Sequence, residues 1–226
     1  MPRSAPSPAR EILRDPLVRA VRREARRRMA AGRGSHGFDH VERVLALALR
    51  LGAESGADGR VLALAALLHD VGRAEEDASA GATCHAAAGA RLAREILRRH
   101  GAGAPLVRRV ADCVRRHRYR GEARPVTREA RLLFDADKLD SLGAVGVGRA
   151  FLFAGEVGAR LHTSTGAALR ARAYGRGDTA HREWLVKLRH LPGRMLTPAG
   201  RRLAAERAAY TAAFFERLAA EAAGRR

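Results

Sequence analysis

Apolar positions recur at helical spacing along most of the chain. Val18, Val21, Ala25 and Met29 form one stripe, and Val41, Val44, Leu45, Ala48 and Leu49 form a second that ends near Gly52. The stretch from Leu62 to His69 is apolar all round, the pattern of a helix buried on every side. Further stripes follow at Leu92, Ile96 and Leu97, at Leu106, Val110 and Val114, and at Leu132 and Leu133. GRAEEDASAG (72–81) predicts a loop. The glycine-interrupted segment 143–160 predicts a helix through about Phe153, and 162–179 reads as a polar excursion. Trp184, Leu188 and Leu191 predict a helix that stops before Pro192. The last helix has a marked start, with Thr197 as N-cap and Pro198 in the first helical position, and Tyr210, Phe214 and Leu218 as its expected buried stripe. No alternating run predicts a strand. The expected fold is all-α: a flexible Arg/Pro-rich tail over 1–14, then one compact helical bundle over 15–224 with a C-terminal helical extension from about 180.

Composition narrows the setting. A chain of 226 residues can bury one large core. No apolar run reaches membrane-spanning length and no signal-peptide core is visible, so the expectation is a cytoplasmic protein with no membrane partner. Two cysteines, Cys84 and Cys113, make no disulfide framework and read as buried thiols. The net charge of +19 points to phosphate-bearing partners. All but two of the 43 basic residues are arginine, which in an Ala- and Gly-rich chain also reads as codon bias. The excess is partly local, in residues 1–33 and 108–131. Only 4% of residues are aromatic, so platforms for stacking bases are few, and a small phosphorylated substrate is favoured over nucleic acid.

The chemistry begins with His69–Asp70, at the end of the most apolar helix. A buried carboxylate without a cationic partner costs several kcal/mol or loses its charge. Other polar groups share the inner faces. His40 lies four residues before Val44, His117 seven after Val110, and Asp137 four after Leu133; His85 precedes Gly89, Leu92 and Ile96 on one stripe. Each alone reads as a hydrogen-bonded core residue. Together they point to a divalent cation, for which carboxylate and neutral imidazole are ligands.

These residues sit in HGFDHVERV (36–44), AALLHDVGR (65–73) and LLFDADKLDSLGAVGVGRAF (132–151), which resemble the metal-binding motifs of the HD-domain phosphohydrolase superfamily, and of its bacterial YedJ-like subgroup in particular. Residues 187–218 resemble that subgroup's C-terminal helices. The resemblance implies an HD-type helical domain that hydrolyses a phosphomonoester or phosphodiester, with a nucleotide as the expected substrate. It implies His40, His69, Asp70 and Asp137 as ligands of one divalent cation (Mn, Fe, Co, Ni, Zn or Mg). His85 and His117 stand where two-metal members place further histidines, to hold a second metal or the substrate phosphate. Asp70 and Lys138 are the expected catalytic residues, Arg43 a phosphate contact, and His36 and Asp39 groups that orient the ligands. The loops at 72–84 and 162–179 depart from the family pattern, at positions suited to substrate selection. Two other functions fit the same residues: a di-iron oxygenase on the same fold, and a non-catalytic nucleotide or nucleic-acid binder with a structural site.

Overall fold

The computed structural model describes residues 8–30, 37–79, 81–118 and 123–226, and among them no strand occurs. The chain divides into two compact units, the first taking in the described residues up to Asp137 and the second those from Lys138 onward. The stripes expected before residue 115 are buried, apart from a half-buried Leu106.

In the first unit, α1 (Pro8–Arg14) occupies the second half of the stretch expected to be a tail. Asp15 then caps α2 (Pro16–Arg28), its carboxylate accepting from the Leu17 and Val18 amides. The centre of the unit is α4 (Gly59–Leu68), capped by Asp58 and packed between α3 (Phe38–Ser55), α2 and α7 (Ala104–Arg116). Every residue from Val61 to Leu68 is fully buried. Four of those are leucines, each contributing about 1.5–3 kcal/mol by burial. An apolar helix with no polar face needs neighbours on all sides, and so the residue that ends it is delivered into the interior.

The expected loop at 72–81 instead contains a short helix, α5 (Arg73–Ala78). Its first turn carries Glu75 and Glu76, favourable at a helix start, and ion pairs from Glu75 to Arg91 and from Glu76 to Arg118 hold it. Helix α6 (His85–Arg99) then packs against α7. Gly72 makes the approach of α6 to the His69–Asp70 turn feasible. A Cβ there would stand 2.3 Å from the His85 carbonyl oxygen and 2.5 Å from the Gly89 nitrogen. Helix α8 (Arg128–Leu139) gives all but its last two residues to the unit and carries Asp137 near its end.

The second unit holds α9 (Gly143–Glu156), α10 (Thr165–Arg170), α11 (Ala180–Val186) and α12 (Pro198–Ala222). Helix α9 extends past the expected end at Phe153. The helix expected through Leu191 stops at Val186, and two 3₁₀ turns, Leu188–His190 and Pro192–Arg194, follow. Helix α12 starts as expected, with the Thr197 hydroxyl accepting from the Gly200 amide at 3.0 Å. Its buried stripe is rotated: Leu203, Ala204, Thr211 and Phe215 face inward, while Tyr210 is 52% exposed. The inward row includes a threonine, whose hydroxyl accepts from the Gly143 amide at 2.9 Å and donates to the Arg207 carbonyl. That polar residue hid the row from a hydropathy reading.

Candidate metal centre

Six side chains from five elements of the first unit meet in its interior. His40 enters from the first turn of α3, His69 and Asp70 from the end of α4, His85 from the first residue of α6, His117 from the end of α7 and Asp137 from α8. His40, His69, Asp70, His85 and His117 are each 5% exposed or less. The six fall into two donor groups, His40/His69/Asp137 and Asp70/His85/His117, each offering atoms within 4.8 Å of one another.

Asp70 stands between the groups. Its Oδ2 lies 3.7 Å from His40 Nε2 and 3.6 Å from His69 Nε2, whereas its Oδ1 lies 3.8 Å from His85 Nε2 and 3.5 Å from His117 Nε2. Asp137 Oδ1 is 3.4 Å from His40 Nε2. The four ligands expected from the sequence are therefore gathered, and so are the two further histidines.

The far sides of the rings decide which nitrogen faces inward. His69 Nδ1 lies 2.7 Å from the Ala66 carbonyl, and His117 Nδ1 lies 2.7 Å from the Val114 carbonyl. A carbonyl only accepts, so each Nδ1 carries the proton and each Nε2 presents a lone pair to the centre. His85 Nδ1 donates to Glu76 Oε2 at 2.7 Å, a carboxylate behind an imidazole. Metal-binding histidines are backed in the same two ways, and the backing fixes ring orientation and raises basicity. The facing Nε2 atoms of His40 and His69 are 3.2 Å apart. Two imidazoles sharing one ion at about 2.0–2.1 Å bring their nitrogens to about that separation. Burial pushes His69 down to about 4, and burial followed by the nearby Arg73 pushes His85 down to about 4. Both rings are thus neutral near pH 7, the form that binds metal. The donor set fits a divalent cation.

Burial alone would raise the Asp70 carboxyl, but the facing His69 ring, when it carries its second proton, and the permanent charge of the Arg73 guanidinium hold it well below the usual range. Arg73 Nε donates to Asp70 Oδ2 at 2.6 Å, so the cationic partner that a buried carboxylate requires is three residues away. Sequence reasoning did not single out Arg73, Glu76 or Arg118. Glu76 sits on α5, in the segment expected to be a loop, and receives both His85 and Arg118 (3.1 Å from Arg118 Nη2 to Glu76 Oε1). Arg118 also donates to Cys84 Sγ at 3.2 Å. A carboxylate nine residues before a histidine has no helical period to betray it, and one arginine among many carries no signal.

Of the other expected site residues, Lys138 follows Asp137 on α8 and is 8% exposed. Asp39 does not turn to a ligand ring: its carboxylate, 68% exposed, accepts from Arg43 Nη1 at 2.6 Å. Arg43 is one helical turn from Asp39, close enough to form this local pair. His36 lies outside the described residues. Cys113 is buried, whereas Cys84 is only half-buried.

Residues 37–142 match the HD domain family. The chain is 30% identical over 187 residues to the uncharacterized protein YpgQ of Bacillus subtilis, covering 81% of this chain and 82% of that one. The crystal structure of YpgQ in complex with ADP superposes with a TM-score of 0.69 at 25% identity, over 89% of this chain and 93% of that one. A Lactobacillus plantarum protein superposes with a TM-score of 0.73 at 26% identity, over 93% and 98%. A predicted HD superfamily hydrolase from an uncultured Thermotogales bacterium does so with a TM-score of 0.61 at 25% identity, over 94% and 91%. No described helix is long and apolar enough to cross a membrane.

Proposed function

The chain belongs to the HD-domain family, whose hydrolase members share its fold, and on that premise we propose that it is a metal-dependent phosphohydrolase acting on a nucleotide phosphoester. One observation carries the reading: six donors converge, five of them buried, and the His69, His85 and His117 rings are fixed from behind so that Nε2 faces the centre. His40, His69 and Asp137 would hold one ion, His85 and His117 a second, with Asp70 as a ligand to both. Bound there, the cation supplies Lewis-acid polarisation of a phosphoryl oxygen and a water acidic enough to ionise near neutral pH.

The protein's own groups do the rest. Asp70 keeps its charge in the interior, held there by Arg73, and would join the imidazoles as a ligand. Arg73 pairs with Asp70 and Arg118 with Glu76 behind His85, positive charge that favours an anionic ester over a neutral one. Lys138, the residue after Asp137 in the chain, would be a further cation for it. The ADP held by YpgQ supports a nucleotide as the substrate class, and the shared motifs support placement near the YedJ-like subgroup. Arg43, paired with Asp39 at the start of α3, is a phosphate contact only if that pair opens.

The test is metal analysis of the protein as purified, followed by a panel of nucleoside mono-, di- and triphosphates and cyclic nucleotides under added Mn, Co, Ni, Zn and Mg. Release of phosphate, pyrophosphate or nucleoside, or opening of a cyclic nucleotide to its monophosphate, that disappears with chelator supports the reading. Oxygen consumption by an iron-loaded protein without hydrolysis would replace it with the oxygenase, and tight nucleotide binding without turnover under every metal would replace it with a binding protein.

A further inference from the structure

In the second unit, residues 157–177 contain Arg160, Arg170, Arg172 and Arg176 and no Asp or Glu. All four arginines are exposed. Among them stands Tyr174, 78% exposed, with a backbone φ of 60°. Among the described residues it is the one non-glycine residue in the left-handed region, which a bulky L side chain rarely adopts.

The surrounding loop maintains this conformation. The Tyr174 amide donates to the Asp178 carboxylate at 2.7 Å, and Asp178 is itself buried and paired with Arg182 Nη1 at 2.8 Å. Arg182 Nε donates to the Ala171 carbonyl, and the Arg160 amide donates to the Arg176 carbonyl at 3.1 Å. Gly177 lies so close to Ala171 that a Cβ there would stand 2.6 Å from the Ala171 Cβ. The tyrosine ring meets Phe153 in a T-shaped contact, with centroids 5.9 Å apart, and otherwise stands in solvent. Strain kept by a buried carboxylate, at an exposed aromatic with no core to fill, marks a position retained for contact with something else.

We propose that this loop is a binding surface for single-stranded nucleic acid, in which a base stacks on Tyr174 and the flanking phosphates meet Arg172 and Arg176. An aromatic face flanked by arginines on a preorganised backbone is the chemistry that unpaired bases select, because every base has a π-face and every nucleotide a phosphate. The low aromatic content of the chain does not oppose this, since one platform in a basic field is enough for weak, salt-sensitive binding.

The test is fluorescence anisotropy of a labelled short oligothymidylate with the full chain, over a range of salt concentrations. Tyr174→Phe should bind as the native protein does. Tyr174→Ala should bind about 5- to 150-fold more weakly, the range for loss of one stacking platform. Arg172→Gln and Arg176→Gln should each lower the salt dependence by about 0.7 in log–log slope. Tyr174→Gly should weaken binding equally and melt no lower than the native protein, because glycine accepts the left-handed backbone. The proposal is overturned by native-like binding of Tyr174→Ala, or by no binding of the native protein at low salt. It is equally overturned if heparin or phosphatidylserine vesicles, which offer charge without bases, depend on Tyr174 to the same degree.

Discussion

The two donor groups in the first unit use the same ligand types but are supported differently. Behind His69 lies the Ala66 carbonyl of its own helix, part of the fully buried α4. In the other group His117 is backed in the same way by the Val114 carbonyl, so the difference lies at His85. Behind His85 lies Glu76, a side chain on the short helix α5, shared with Arg118. Main-chain support on a buried helix is rigid and survives changes of surface sequence. Side-chain support on a six-residue helix held by ion pairs can be tuned by single substitutions. On this account the His40/His69/Asp137 group is the tighter site and the Asp70/His85/His117 group the adjustable one.

The largest effect should come from the residue that both groups share. Asp70→Ala removes a ligand from each and leaves Arg73 facing imidazoles, so metal uptake and phosphoester hydrolysis should both be lost. Inductively coupled plasma analysis after metal loading checks the first. Next, Arg73→Ala removes the charge-assisted hydrogen bond to Asp70, which contributes about 1.5–3 kcal/mol for a charged pair. Its melting temperature in chelator should fall, and added metal should restore more of it than in the native protein. If metal raises both proteins equally, Arg73 is not the group that neutralises Asp70.

Glu76→Gln sharpens the contrast between the groups. It keeps the shape of the side chain but weakens the backing of His85, and changes of this kind reduce metal affinity about 10- to 100-fold. Calorimetric titration should show the loss at the weaker site alone. The smallest effect belongs to Asp39→Ala, which breaks an exposed i,i+4 pair with Arg43. Such pairs contribute about 0.2–1 kcal/mol, so thermal unfolding should shift slightly and metal stoichiometry should not change.

How far the sequence revealed this arrangement follows the same division. The first group was legible, because His40, His69 and Asp137 fall on apolar stripes whose period fixes which face looks inward. His85 and His117 were legible as inward residues for that reason too. Their supports were not: Glu76 and Arg73 lie in a charged segment that reads as a loop, and pairing between α5 and α6 is a tertiary fact with no local period. The close approach at Gly72 was equally hidden, since a glycine at the head of a charged segment reads as the start of a loop. In the second unit, Thr211 on the inner face of α12 turned the expected stripe by one position, because a hydroxyl that satisfies a buried amide looks polar in the sequence. The all-α class survived these local errors because it rests on the recurrence of the helical period, not on any one residue.

The central claim is that two donor groups share Asp70, and counting bound ions tests it most directly. Titration of the metal-free protein with Mn or Co by calorimetry should show two equivalents, the second weaker. His117→Ala should retain one of them, and its melting curve should still respond to metal. A single equivalent in the native protein that persists unchanged in His117→Ala would contradict the account.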